Sequence, residues 1–286
     1  MIYAVAIGPD NTVYSTLRSA GENAIVRHTA QGASIAYETS DPLHGLWISP
    51  RGTIHAAGKK LHDNARGTFA SVKHAVGECY ALWGADDDHV YLGGDAGLQL
   101  RRGDTWTEVA VDDAGIFALG GTGADDVYAG GDDGVLRHFD GVKWRKLKLK
   151  GTSFIQGIAC ASRDEVLVIT VAGDYRVFRG NARDGFKVIE KGDDEAYGVA
   201  PGPTVHAGWK LFRGGQEAAE VDPKRLMVKS GEFSTAMTSR GSRIVAGGIS
   251  SVLVDDGRGF VAWPGPGETK PKAQPRPRKR ASRTAS

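Results

Sequence analysis

The sequence has no apolar run long enough to span a membrane, and its first residues, MIYAVAIGPDNTVYS, carry no basic stretch of the kind that opens a secretory signal. No window repeats apolar residues at i, i+3, i+4, so long amphipathic helices are not expected. Cysteine is scarce: two residues, Cys79 and Cys160, far apart in the chain. Two thiols without a partner framework fit a reducing compartment, and the reading is a cytoplasmic protein with no membrane span. Catalytic signatures are missing as well. There is no G-x-S-x-G elbow, no Walker loop, no dinucleotide fingerprint and no HExxH. The eight histidines, His28, His44, His55, His62, His74, His89, His138 and His206, form no zinc spacing with the cysteines. No cofactor and no metal site are expected.

Glycine, by contrast, is abundant: forty residues, about twice the ordinary usage of roughly 7 %. It gathers with Asp in turns. The stretch from Gly115 to Leu147 shows the arrangement most clearly. IFAL, DVYAGG, VLRHF and KWRKL read as four short strands, separated by GGTGAD, GGDDG and DG. Gly reaches positive φ without cost and Asp caps its own backbone, so these separators are turns. Four antiparallel strands joined by turns alone make one small sheet that cannot bury both of its faces.

Copies of that unit run along the chain. Its second strand recurs at Val13, Ile54, Val90, Val127, Leu167, Val205 and Ile244, in steps of 41, 36, 37, 40, 38 and 39 residues. A period near 40 with four strands per unit is the mark of a β-propeller blade. The expectation is an all-β fold: a single seven-bladed β-propeller over residues 1–263. A disordered Pro/Lys/Arg-rich tail is expected over 264–286. That tail holds seven Lys or Arg from Lys270 onward and no acid there. The whole chain carries +2, so residues 1–269 carry −5 (2 − 7). An acidic body with a basic arm is hidden behind a neutral-looking total.

The unit DDVYAGGDDGVLRHFDGVKW resembles the repeats of bacterial WD40/YVTN/BNR-like propellers, closely at 125–144 and well at DDDHVYLGGDAGLQLRRGDTW, residues 86–106. The resemblance implies the fold, and propellers of this kind serve many functions. Asp140, Gly141 and Trp144 give D-G-x-x-W, a structural turn rather than a catalytic element, so no sialidase activity is implied.

Aligning the innermost strands places Tyr3, His44, Tyr80, Phe117, Gln156, Tyr197 and Ser234 at one equivalent position. Small residues follow each, which lets strands converge on an axis. One reading is a recognition surface at one mouth of the central channel, with Tyr3, His44, Tyr80, Phe117 and Tyr197 as its rings. The plainer one is packing between blades. The turns between second and third strands lie on the same side. They contribute Asp95, Asp132, Asp133 and Asp174 as an acidic arc, and Trp209, with Lys59, Lys60 and Lys210 elsewhere. The plainer reading of these acids is turn capping. In the tail, Arg276, Arg278, Lys279, Arg280 and Arg283 suit nucleic acid or another anionic surface. The plainer reading there is a solubilising extension, or an arm that touches its own acidic propeller.

The function expected is a non-catalytic scaffold that binds another protein, one with basic residues, through one face. An inhibitor or immunity-type protein is a narrower version. Two alternatives stand beside it: a hydrolase or lyase at the channel mouth acting on a small sugar or lactone, and a nucleic-acid-associated protein using the tail.

Overall fold

A computed structural model of the chain describes residues 2–267 apart from residues 20, 110–113, 133, 151–153, 194–195, 201–203, 208–209, 214–215, 221–236, 241 and 248–250. Every element among the described residues is a β-strand, and none is a helix able to cross a membrane. The strands form four-stranded antiparallel sheets, each built from four consecutive strands, from Ile2–Thr39 to Met237–Trp263. Seven innermost strands touch one another in sequence order, and the last, Met237–Arg240, returns to the first, Ile2–Ile7. The result is a closed propeller with a channel on its axis.

The expectation of a single seven-bladed propeller with a tail from residue 264 is corrected in three ways. Six blades are described with their side-chain packing. The sheet over 196–220 is described through its strand pairing, with side chains only at Gly198, Val199 and Ala200. It belongs to the repeat least like the others in sequence. Second, residues Pro264–Gly267 are part of the propeller. Pro264 and Gly265 are buried, and the Pro264 carbonyl lies 3.4 Å from His28 Nδ1 on blade one. A proline ring covers apolar surface without needing a donor of its own. The rest of the expected tail, 268–286, lies outside the described residues.

Third, the pairing shifts the alignment in two blades. Ile169 and His206 stand opposite Gly157 and Gly198, where Gly130 stands opposite Ala118 in blade four. They are one and two residues from the positions that the repeat alone gives. His206 is therefore not the counterpart of Tyr128. Similarly, GGTG at 120–123 is not a turn but the end of the strand Ile116–Gly123.

The core lies between blades rather than within them. The sheets with described side chains bury them on both faces, so their second and third strands are apolar nearly throughout. Asp126–Gly131 is buried at every position. Ile25 and Ala6 of blade one pack with Leu46 and Ile54 of blade two, and Tyr91 and Leu98 of blade three with Ile116 and Val127 of blade four. The ring closes through Ile2, Val5 and Val13 against Val245, Val252 and Val254. Polar clasps repeat the pattern. Arg101 of blade three reaches Asp63 of blade two at 2.8 Å, and Arg240 donates to the Ile7 carbonyl at 3.2 Å.

Two glycines show how tightly a second strand sits against the start of its own blade's innermost strand. A Cβ on Gly131 would lie 1.8 Å from the Gly115 carbonyl oxygen, and one on Gly94 would lie 2.2 Å from that of Glu78. Backbone cannot yield there as a flexible side chain would. Gly131→Ala is expected to lower stability by about 1–3 kcal/mol in urea denaturation. Gly32→Ala, with open space around it, should change the midpoint little. Equal effects would contradict the close-approach account.

His55 occupies the place of Tyr14, Tyr91 and Tyr128 in blade two, stacked on Trp47 with centroids 5.2 Å apart. It is buried, and neither ring nitrogen has a hydrogen-bond partner. Burial pushes its pKa down from 6.5 to about 4; the Asp63 carboxylate opposes this and the Arg101 cation adds to it. Burial also lowers His62, against the opposing Asp41 carboxylate. These imidazoles are neutral when folded, while the unfolded chain takes up protons first. Their stabilisation is full above about pH 6.5 and drains away as the pH falls towards 4. The His55 share is on the order of 3 kcal/mol. His55→Tyr, the residue of the equivalent blades, should flatten the decline in stability from pH 7 to 4. An unchanged slope would show that His55 does not carry it.

Candidate functional site at the channel mouth

The channel has a volume of about 880 Å³ and is lined by the innermost strands. Its geometry at one end follows from a backbone irregularity that recurs from blade to blade. In blade one Ile2 pairs with Leu17 and Ala4 with Thr16, leaving Tyr3 without an opposite number. The same extra residue is Tyr80 in blade three, Phe117 in blade four, Gln156 in blade five and Tyr197 in the sheet over 196–220. Each is a β-bulge, which bends the strand and re-aims one side chain. In blade one, Thr16 Oγ1 accepts the Ala4 N–H at 2.9 Å just past the bulge. In blade two, His44 stands immediately before the strand Gly45–Ile48, its N–H donating to the Ala57 carbonyl at 2.8 Å.

The consequence is an arc of rings around the mouth. Tyr3 meets His44 edge-on with centroids 5.3 Å apart, and His44 lies 5.3 Å from Tyr80. Tyr80 stacks on Phe117 at 5.0 Å and 23° between planes, and Phe117 meets Phe154 at 5.2 Å. Four rings anticipated from the sequence thus form a chain of contacts, and they line the channel together. Gln156 holds the bulge of blade five, but the ring there is Phe154. The repeat alignment missed it because Phe154 comes two residues earlier, at the place of Gly115 and Glu78. Glu78 was missed for the same reason.

Glu78 brings the first carboxylate. Its Oε1 lies 3.1 Å from His44 Nε2, an ion contact without hydrogen-bond geometry. Burial, then the charges of Asp95 and Glu78, push the Tyr80 phenol above its ordinary pKa. Tyr80 is nonetheless 37 % exposed. Asp132 stands beside Phe117, since a Cβ on Gly115 would meet the Phe117 ring at 2.6 Å and the Asp132 carboxylate at 3.0 Å. Asp95 and Asp132 are exposed and make no ion pair among the described residues. Asp174 differs, lying 3.4 Å from Arg176. Lys60 binds Asp41 at 3.0 Å, and exposed Arg18 also lines the channel. The backbone of Tyr197 is described but its side chain is not. Asp133, Trp209, Ser234 and the tail residues Arg276, Arg278, Lys279, Arg280 and Arg283 lie outside the described residues.

Other features serve the scaffold. Asp140 accepts the backbone N–H groups of Val142 and Lys143, which depresses its pKa and fixes the turn at Gly141. Burial raises the thiol pKa of both Cys79 and Cys160, and both are free thiols. No group of three or more metal-ligating side chains among the described residues is placed to hold an ion.

No family model matches the sequence, and no curated protein matches it closely enough to compare. Solved structures do match in shape. The WD40 β-propeller domain of Doa1 aligns with a TM-score of 0.67 at 10 % identity, over 86 % of this chain and 89 % of that one. The WD40 repeats of RRP9 align at 0.55 and 14 %, over 86 % and 72 %. The computationally designed protein Ika8 aligns at 0.59 and 15 %, over 92 % and 96 %. At such identities the likeness carries the fold alone. The chain is a WD40-like β-propeller in architecture.

Proposed function

We propose that this chain is a non-catalytic binding platform for another protein, engaged at the channel mouth through a basic segment of that partner. The observation that carries the reading is the ring arc Tyr3–His44–Tyr80–Phe117–Phe154 with its neighbouring carboxylates. Bulges put Tyr3, Tyr80 and Phe117 there, and His44 and Phe154 extend the arc at either side. Rings give contact area at low entropic cost, and Asp95 and Asp132 favour cations. An inhibitor of a basic target is the narrower form of this reading.

The test is capture of partners by the tagged full-length chain, nuclease-treated and near physiological salt. One protein in near-stoichiometric amount is expected. Its affinity should fall at least ~30-fold, about 2 kcal/mol, for Tyr80→Ala combined with Asp132→Asn. No retained protein, or retention that ignores these changes, would overturn the proposal.

A second reading, a hydrolase or lyase at the mouth, draws on the acid–imidazole contact there between Glu78 and His44. It requires turnover on a panel of small sugars and lactones that disappears with His44→Ala. Absence of turnover in the unaltered protein would remove it.

A further inference from the structure

Blades three and four present the same small unit side by side. In each, the bulged aromatic of the innermost strand stands next to a carboxylate from the turn after that blade's second strand. The pairs are Tyr80 with Asp95, whose N–H donates to the Glu78 carbonyl at 3.3 Å two residues before that ring, and Phe117 with Asp132, whose N–H donates to the Gly115 carbonyl at 3.4 Å two residues before its ring. The two rings stack on one another at 5.0 Å, so the units join into a strip of carboxylate, ring, ring, carboxylate. A planar guanidinium suits such a strip. It stacks on an aromatic face while its N–H fork meets a carboxylate.

The chain carries candidates for that place itself. Residues 268–286 include Lys270, Lys272, Arg276, Arg278, Lys279, Arg280 and Arg283, with no acid after Glu268. The body that precedes them is net acidic. The described chain ends at Gly267, just after the contact of Pro264 with His28. Nineteen residues reach up to about 60 Å when extended. A blade of four strands is about 15 Å across, and a six-residue strand is about 20 Å long. The mouth is therefore within reach from the edge of blade seven. Tethering at this length gives a local concentration on the order of 1 mM. Intrinsic contacts of only about 100 μM affinity would then fill the site roughly nine-tenths of the time.

We propose that the basic segment 268–286 docks on the mouth of its own propeller, over Tyr80, Phe117, Asp95 and Asp132, and so covers the surface a basic partner needs. The proposal rests on the reading of the mouth as a binding surface, and the tail would then act as a built-in competitor.

The experiment is zero-length carbodiimide coupling of the full-length chain at low micromolar concentration and 20 mM salt, read by peptide mass spectrometry. A mixture of ¹⁴N and ¹⁵N chains is used, so that links within one chain and between chains separate by mass. Links from Lys270, Lys272 or Lys279 to Asp95, Asp132 or Glu78 within one chain are expected. They should fall at least fivefold at 0.5 M salt, where charges are screened beyond a few ångströms. They should also fall at least threefold with Tyr80→Ala, which leaves every carboxylate in place. Links confined to acids elsewhere, links only between ¹⁴N and ¹⁵N chains, or none at 20 mM salt would each overturn the proposal. So would absence of acid links together with protection of the same lysines by an added DNA 20-mer, which would assign the tail to nucleic acid. Partner capture can fail while these links persist, and the reverse, so the two ideas fall separately.

Discussion

Everything in this fold depends on the fact that one blade cannot bury its own faces. A four-stranded sheet that is apolar on both sides must be covered on both sides, and here the only cover is the next blade. That requirement produces the wedge-shaped cores between blades, as with Ile25 and Ala6 against Leu46 and Ile54. It also forces the innermost strands to converge, and small residues such as Gly45 permit it: a Cβ there would lie 2.9 Å from Leu82 Cβ on the innermost strand of the next blade. The channel is what remains once the strands can come no closer.

The mouth follows from the same constraint. Strands that converge so tightly leave no room for a large side chain within the ladder. In five of the blades a bulge turns one residue of the innermost strand out of the pairing. In blades one, three and four that residue is aromatic, and blade two supplies His44 at the matching edge. A feature of strand geometry thus sets the chemistry of the surface.

Much of this could be read from the sequence because the blade unit is written in turn residues and alternation. The period, the four-strand unit and the positions of Tyr3, His44, Tyr80 and Phe117 were legible, since each depends on spacing that repeats. Phe154 and Glu78 were not, because their effect depends on which neighbour they face across a blade boundary. The shifted pairing of Ile169 and His206 was hidden too: apolar triplets such as LVI fit two registers equally well, and only hydrogen bonding chooses between them. Pro264 read as the start of a tail because the composition turns Pro/Lys/Arg-rich there, yet the residue is buried with its carbonyl 3.4 Å from His28 Nδ1 of blade one.

The way the ring closes has one more consequence. The last sheet is made of the last four strands and the first sheet of the first four, with no strand shared between the ends. The join between Met237–Trp263 and Ile2–Thr39 is thus an apolar packing of blade on blade like the others described, with the contact of Pro264 and His28 added to it. A circularly permuted chain, opened between any two blades and sealed across the present ends, would ask nothing new of the packing. By the same logic the molecule is modular in whole-blade units, and a duplicated or deleted blade would change the bore of the channel without breaking a sheet.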